Sequence, residues 1–286
     1  SERALVEHID FNMMYRWFVG LTLDEAVWDH SSFSANRERL LKESVMREFF
    51  TGVVAIGQWA ELVSDEHFSV DGSLLRAWAS HKSLAARDGS DEPPGPDQGR
   101  NAEVDFRGQK RSNATHVSRT DPEALLASKG GAGAYLSFTT HALAENRHGL
   151  IVDVHTTQAT GTAEREAALV MVKRTVKPAD ATRQPTLAAD RGYDTADFIA
   201  ALGPLGVLPH VAAKTKGSAV PSEIKVTEAY AVSLRRRKMI EEAFGWAKDI
   251  GTLRRLMARG LETIRAHALL NFAAYNLTRL GNLLAS

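Results

Sequence analysis

Two aspartates share a setting suited to metal chemistry. Asp71 closes His67-Phe68-Ser69-Val70-Asp71-Gly72-Ser73, and Asp190 closes Thr186-Leu187-Ala188-Ala189-Asp190-Arg191-Gly192. Each ends an apolar run that reads as a buried strand, with Gly at once or one residue later. In α/β sheets, ligands gather at the C-terminal ends of strands. Two carboxylates on neighbouring strand ends repel unless a cation lies between them. Hard oxygen donors, with no sulfur and no paired His, favour Mg2+ or Mn2+. For either aspartate alone the competing reading is a helix N-cap or a turn acid, a common fate for Asp before Gly.

A third carboxylate tilts the balance. In Arg237-Lys238-Met239-Ile240-Glu241-Glu242-Ala243-Phe244-Gly245-Trp246-Ala247-Lys248, spacings of four and seven put Arg237, Glu241 and Lys248 on one helix face, with Phe244 beside them. A carboxylate flanked by Arg and Lys can ligate a metal while its neighbours grip phosphates. The same spacing also makes a plain salt-bridge ladder. Glu242 points to another face. Trp246 reads as packing before it reads as a base-stacking platform.

The elements that would position these groups follow from pattern. Residues 1–66 read as helical, with apolar residues at near-helical spacing and Ser32-Phe33-Ser34 offering caps before a helix over 36–44. A short strand at 67–70 ends at Asp71-Gly72, and 74–83 reads as a helix start. Residues 84–133 are rich in Gly, Pro, Ser, Asp and Asn and read as a long loop, of the kind that is often functional. Two strands, 134–144 and 150–157, form a hairpin. A helix at 163–177, a strand at 185–190, a helix at 195–202 and a strand at 207–213 follow. A long basic helix spans about 230–250, and a last helix covers 261–284. The order implies a mixed sheet with helices on both faces, behind a helical N-terminal region. Asp153 reads as a satisfied strand acid, Asp194 as the cap of the next helix, and 160–166 as helix-capping chemistry. The ten histidines are scattered and form no His-x3-His pair, and His141 and His155 on the hairpin are the ones to watch.

Composition narrows the classes. The 286 residues balance 35 Lys+Arg against 35 Asp+Glu, with 44% hydrophobic residues and no cysteine. Disulfides, thiolate metal sites and cysteine nucleophiles are excluded. No stretch has the ~20 apolar residues of a membrane helix, and no signal-peptide pattern opens the chain. The chain opens on Ser in what reads as an ongoing helix, which suggests further sequence upstream. Charge is unevenly spread. Residues 1–71 carry 13 acids and 6 bases, whereas 231–265 carry 9 bases and 4 acids. A second basic run holds Arg107, Lys110, Arg111 and Arg119. Basic patches on a neutral chain point to a polyanion such as DNA, or to a solvated helix face.

These residues together resemble bacterial insertion-sequence transposases of the DDE type, in the IS-four/IS-five superfamily. Arg237, Glu241 and Lys248 match the Y-x2-R-x3-E-x6-K signature of that group, with Leu234 at its Tyr position. Asp71 and Asp190 resemble the first and second acids. Further segments agree in order: Tyr15-Arg16-Trp17-Phe18-Val19-Gly20-Leu21, Gly108-Gln109-Lys110-Arg111-Ser112-Asn113, Thr120-Asp121-Pro122, Gln158 to Glu166, and Ala273-Ala274-Tyr275-Asn276-Leu277. In that group the Tyr15–Leu21 motif is preceded by more helical sequence, so the resemblance suggests a shortened product.

The resemblance implies an RNase H-like catalytic domain over 67–286, with the insertion at 84–133, behind an N-terminal DNA-binding or oligomerisation region at 1–66. It implies that Asp71, Asp190 and Glu241 bind two Mg2+ or Mn2+ ions and catalyse cleavage at element ends and joining of the freed 3′-OH to target DNA. Arg237, Lys248, Arg191, Lys110, Arg111, Arg254 and Arg255 would contact double-stranded DNA. A homodimer on paired ends and a cytoplasmic, nucleoid-associated location are expected, with no membrane. Competing readings are an inactive DNA-binding remnant, an RNase H-like nuclease without strand transfer, and a structural DNA-binding protein that uses only the basic helix.

Overall fold

The computed structural model describes residues 2–89, 111–128, 133–176 and 184–285. Lys110 and the Gly/Pro-rich stretch around it lie outside these residues. Four helices open the chain: α1 (Glu2–Phe11), α2 (Met13–Val19), α3 (His30–Leu40) and α4 (Glu43–Trp59). The cap of α3 is Asp29, whose carboxylate accepts from the Ser31 N–H at 2.8 Å, rather than Ser32 or Ser34. The helix expected over 36–44 is therefore two helices meeting near Leu41.

Strand β1 (His67–Arg76) is the axis of the fold. It does not stop at Asp71, and no helix starts at 74. Pairing with the hairpin strand β5 (Tyr135–Glu145) continues from Phe68↔Glu145 to Arg76↔Ser137, which keeps 71–76 extended. The stretch at 84–133 is also not one loop. A small ladder joins β2 (Leu84–Ala86) to β3 (His116–Ser118), and β4 (Leu125–Ala127) adds to β5. The hairpin closes with β6 (Ile151–Gln158), and α5 (Ala163–Thr175) crosses to β7 (Thr186–Ala189). Helix α6 (Ala196–Leu202) crosses to β8 (Leu208–Val211). After α7 (Ser222–Lys225), the expected long helix is broken into α8 (Glu228–Arg236) and α9 (Met239–Asp249), and α10 (Leu261–Leu284) ends the fold.

Across the sheet the strands run β6, β5, β1, β7, β8. The first three are each antiparallel to the next, while β7 is parallel to β1 and β8 to β7. An antiparallel meander continued by two parallel crossover strands is the RNase H-like topology. Alternation along β1 splits the core. Phe68 and Val70 pack on one face with Met171 and Val172 of α5 and Phe198 and Leu202 of α6. Leu75 packs on the other with Phe50 and Val53 of α4, Ile240 and Phe244 of α9 and Phe272 of α10.

The free edge of β6 is closed by side chains. Asn276 accepts from the Ile151 N–H at 2.9 Å and donates to its carbonyl at 2.7 Å. Arg47 donates to the Val154 carbonyl and Arg265 to that of Thr156. Asp153 is 3% exposed and is held between Arg47 of α4 and Arg174 of α5, so it ties both helix layers to this edge. It is the satisfied strand acid expected of it. Asp194 is not a helix cap. Its carboxylate accepts from the Lys214 and Ala219 N–H groups, which fastens the loop after β8.

His210 on β8 gives the fold a pH dependence. Its ring is buried beside Tyr230, with Nδ1 2.7 Å from the Ser233 hydroxyl. Burial, then the nearby His67, lowers its pKa from 6.5 to about 4. The unfolded chain takes up a proton below pH 6.5 that the folded protein refuses. Stability is therefore full above pH 6.5 and falls as pH drops towards 4, by about 2 kcal/mol at pH 5. Burial shifts His155 and His267 in the same direction, whereas the raised pKa of Asp121 works against it. Urea unfolding at pH 7.5 and 5.0 should show most of the loss vanish in His210→Gln. An unchanged pH slope in that variant would contradict the assignment.

Candidate active site

The parallel register of β1 and β7 leads towards the first two acids. Ser69 pairs with Ala188, the last pair of the two strands, and Asp71 and Asp190 each follow two residues on. Both continue the face that carries Ser69 and Ala188. β7 ends at Ala189, so β1 beyond Ser69 has an open edge on that side. The expectation of a strand end thus holds for Asp190, and for Asp71 only towards β7. Asp190 accepts from the Gly192 N–H at 2.7 Å and caps the turn at Arg191–Tyr193. It is a turn acid as well as a site candidate.

The break between α8 and α9 sets the third group. The chain turns at Arg237-Lys238, and the Arg237 guanidinium lies 3.9 Å from Asp71 Oδ2 and 3.4 Å from Glu241 Oε1. Lys248, two turns along α9, donates to the Ser73 hydroxyl at 2.5 Å. The α9 face carrying Glu241 and Lys248 therefore runs along β1 on the side of Asp71 and Ser73. Glu241 is the outermost of the acids: its side chain is 57% exposed, against 18% for Asp71. It meets Asp71 through Arg237. Among the described residues, no three His, Asp or Glu side chains gather closely enough to enclose an ion as they stand. The donor chemistry nonetheless fits a hard divalent cation. The three candidates are all carboxylates, with no sulfur among them, and the positive charge between Asp71 and Glu241 is a guanidinium.

The other expected DNA contacts are scattered. Arg191 is exposed in the turn after Asp190. Arg254 is exposed and paired with Asp249. Arg111 donates to the His81 carbonyl, away from the acids in sequence and on the insertion. Arg255 falls in a short turn at Leu253–Arg255. Trp246 stacks edge-on against Tyr275 and packs on the core, as the packing reading expected.

Of the groups packed at Gly72, the sequence singled out His141 but not Glu164. Gly72 faces His141, its cross-strand partner, whose Nε2 lies 3.0 Å from the Thr157 hydroxyl. A Cβ at Gly72 would stand 2.8 Å from His141 Nδ1 and 3.2 Å from both Cγ and Oε1 of Glu164, on the first turn of α5. Only the missing side chain lets these groups approach. Gly72→Ala should lower stability by about 1–3 kcal/mol through that overpacking. Thermal melting reads it, and an unshifted melting point would show the contact is loose.

A family model described as a transposase DDE domain matches residues 113–277, more than half of the chain. This chain belongs to the DDE transposase family. Asp190 and Glu241 fall within the matched span of that domain, and Asp71 precedes it. A second model, a transposase domain of the DUF772 type, matches residues 1–39. No curated protein matches the transposase chain. Among solved structures, a pre-cleavage Mos1 transpososome aligns over 99% of this chain and 78% of that one, at 8% identity and a TM-score of 0.26. A Mos1 transposase paired-end complex with the left transposon end covers the same shares at 7% identity and a TM-score of 0.24. Likenesses that slight add nothing to the topology above.

Proposed function

We propose that this DDE transposase, of the IS-four/IS-five type, cuts DNA at insertion-sequence ends and joins the freed 3′-OH to target DNA. The observation that supports the reading is that Asp71 and Asp190 each lie two residues beyond the paired Ser69 and Ala188, with Arg237 linking Asp71 to Glu241. Asp71, Asp190 and Glu241 would hold two Mg2+ or Mn2+ ions. Such ions supply Lewis-acid stabilisation of the pentacovalent phosphate and a lowered pKa for the attacking water or 3′-OH.

The chain's own residues do the rest. Asp190, fixed by its turn, and Asp71, fixed by the pairing of β1 with β5, present preorganised negative charge. Arg237 and Lys248 line the approach along α9 and would take the backbone phosphates flanking the cut. Arg191 and Arg254 extend the basic surface. Lys110, Arg111 and Arg255 complete the proposed DNA contacts. Residues 1–66 would form a DNA-binding or oligomerisation region and 67–286 the catalytic domain. Cutting and joining two ends calls for two active sites, hence a homodimer on paired ends. No helix among the described residues is long and apolar enough to cross a membrane.

The test is an oligonucleotide carrying the element's terminal sequence, incubated with Mn2+ or Mg2+ and a plasmid target. Cation-dependent nicking followed by covalent joined product is expected. Nicking without joining would favour an RNase H-like nuclease. DNA binding with neither reaction would favour an inactive remnant.

A further inference from the structure

The first turn of α5 carries an acid that the three-acid scheme does not use. Glu164 comes from the opposite helix layer to Glu241, since α5 packs on the Phe68/Val70 face and α9 on the Leu75 face. Its carboxylate nonetheless reaches β1, because Gly72 has no side chain to stop it. The point of approach is the residue after Asp71, on the stretch of β1 that β7 leaves open. The start of α5 also leans on the Asp190 turn, where the Arg165 guanidinium lies 3.5 Å from the Gly192 carbonyl. Glu164 thus stands against β1 one residue past Asp71, at the start of a helix that touches the turn after Asp190.

A second observation is independent of these acids. The Tyr193 hydroxyl, in the turn that Asp190 caps, belongs to a side chain only 1% exposed and has no hydrogen-bond partner among the described residues. A buried hydroxyl without an acceptor is costly and points to a missing ligand. A water bound to a cation, or a phosphate oxygen, would supply the acceptor it lacks.

We propose that Glu164 is a fourth carboxylate of the cation site, entering from the α5 side of β1 through the gap at Gly72, with the Tyr193 hydroxyl donating to what is bound there. The proposal rests on the three-acid reading above. Glu164 adds negative charge and an oxygen acceptor on the face opposite Glu241, so the bound cations and their waters are held from both layers.

The test is calorimetric Mn2+ binding to the full chain without DNA, for wild type, Asp71→Asn, Glu164→Gln and Glu164→Asp. The proposal expects Mn2+ binding at least about ten-fold weaker in Glu164→Gln, as for lost groups around a metal site, with partial recovery in Glu164→Asp. Cation-free melting separates this from misfolding. If Glu164→Gln melts lower, Glu164→Asp decides: weakened binding with a normal melting point supports the role, and wild-type binding overturns it. Wild-type affinity in Glu164→Gln, with binding lost in Asp71→Asn, overturns the fourth carboxylate and leaves the three-acid site standing. No Mn2+ binding by the wild type overturns both.

Discussion

Asp190→Ala is expected to nick terminal DNA about 10^3-fold more slowly than wild type, with DNA binding kept. The figure corresponds to about 4 kcal/mol of lost transition-state stabilisation, the scale on which a cation or its anchoring carboxylate acts. Removal of Asp190 disturbs the fold little. It costs one turn hydrogen bond, to the Gly192 N–H, worth about 1 kcal/mol. It also relieves repulsion with Asp71 across the β1–β7 register. The two nearly cancel, so the melting temperature without cation should stay close to wild type. A variant that nicks normally would remove Asp190 from the chemistry and leave it a turn acid. A variant that melts early would show that the turn holds β7 in place. Glu241→Gln should repeat the loss of nicking with even less effect on folding, since that side chain is mostly exposed.

Asn276→Ala is expected to lower stability by about 3 kcal/mol. The side chain is 1% exposed and pairs with both polar groups of Ile151 on the free edge of β6. Truncation leaves a buried N–H and a buried carbonyl without that partner, each costing about 1–3 kcal/mol. Nearby bonds from Tyr275 to the Gly149 carbonyl and from Arg279 to that of His148 keep α10 seated, so the fold should persist in weakened form. Urea unfolding followed by circular dichroism measures the shift. A loss under about 0.5 kcal/mol would show that water replaces the amide, as at a solvent-exposed edge.

Several of these features were legible in the sequence. The hairpin, the alternation of strands and helices after it, and the last helix follow from local periodicity. The strand ending at Asp190 is also local, because its apolar run and Gly turn lie together. Other features depend on partners far along the chain. Asp71 lies within β1 rather than at its end, because β5, about 60 residues away, keeps the strand extended to Arg76. The break at Arg237-Lys238 has no Gly or Pro to announce it, yet it aims Arg237 at Asp71. Glu164 sits in a segment that reads as helix-capping chemistry, and its approach to β1 is visible only once Gly72 is placed against α5. Asp194 looks like a cap from its position before α6, but two N–H groups more than 19 residues downstream claim it.

The central claim is that Asp71, Asp190 and Glu241 form one cation site. Iron(II) with ascorbate and peroxide tests it directly, because iron bound in place of Mn2+ cuts the backbone at its ligands. The account predicts cuts in β1 near Asp71, in the turn after β7 and at the start of α9, all suppressed together by excess Mg2+. Cuts confined to one segment, or cuts elsewhere that Mg2+ does not suppress, would contradict it.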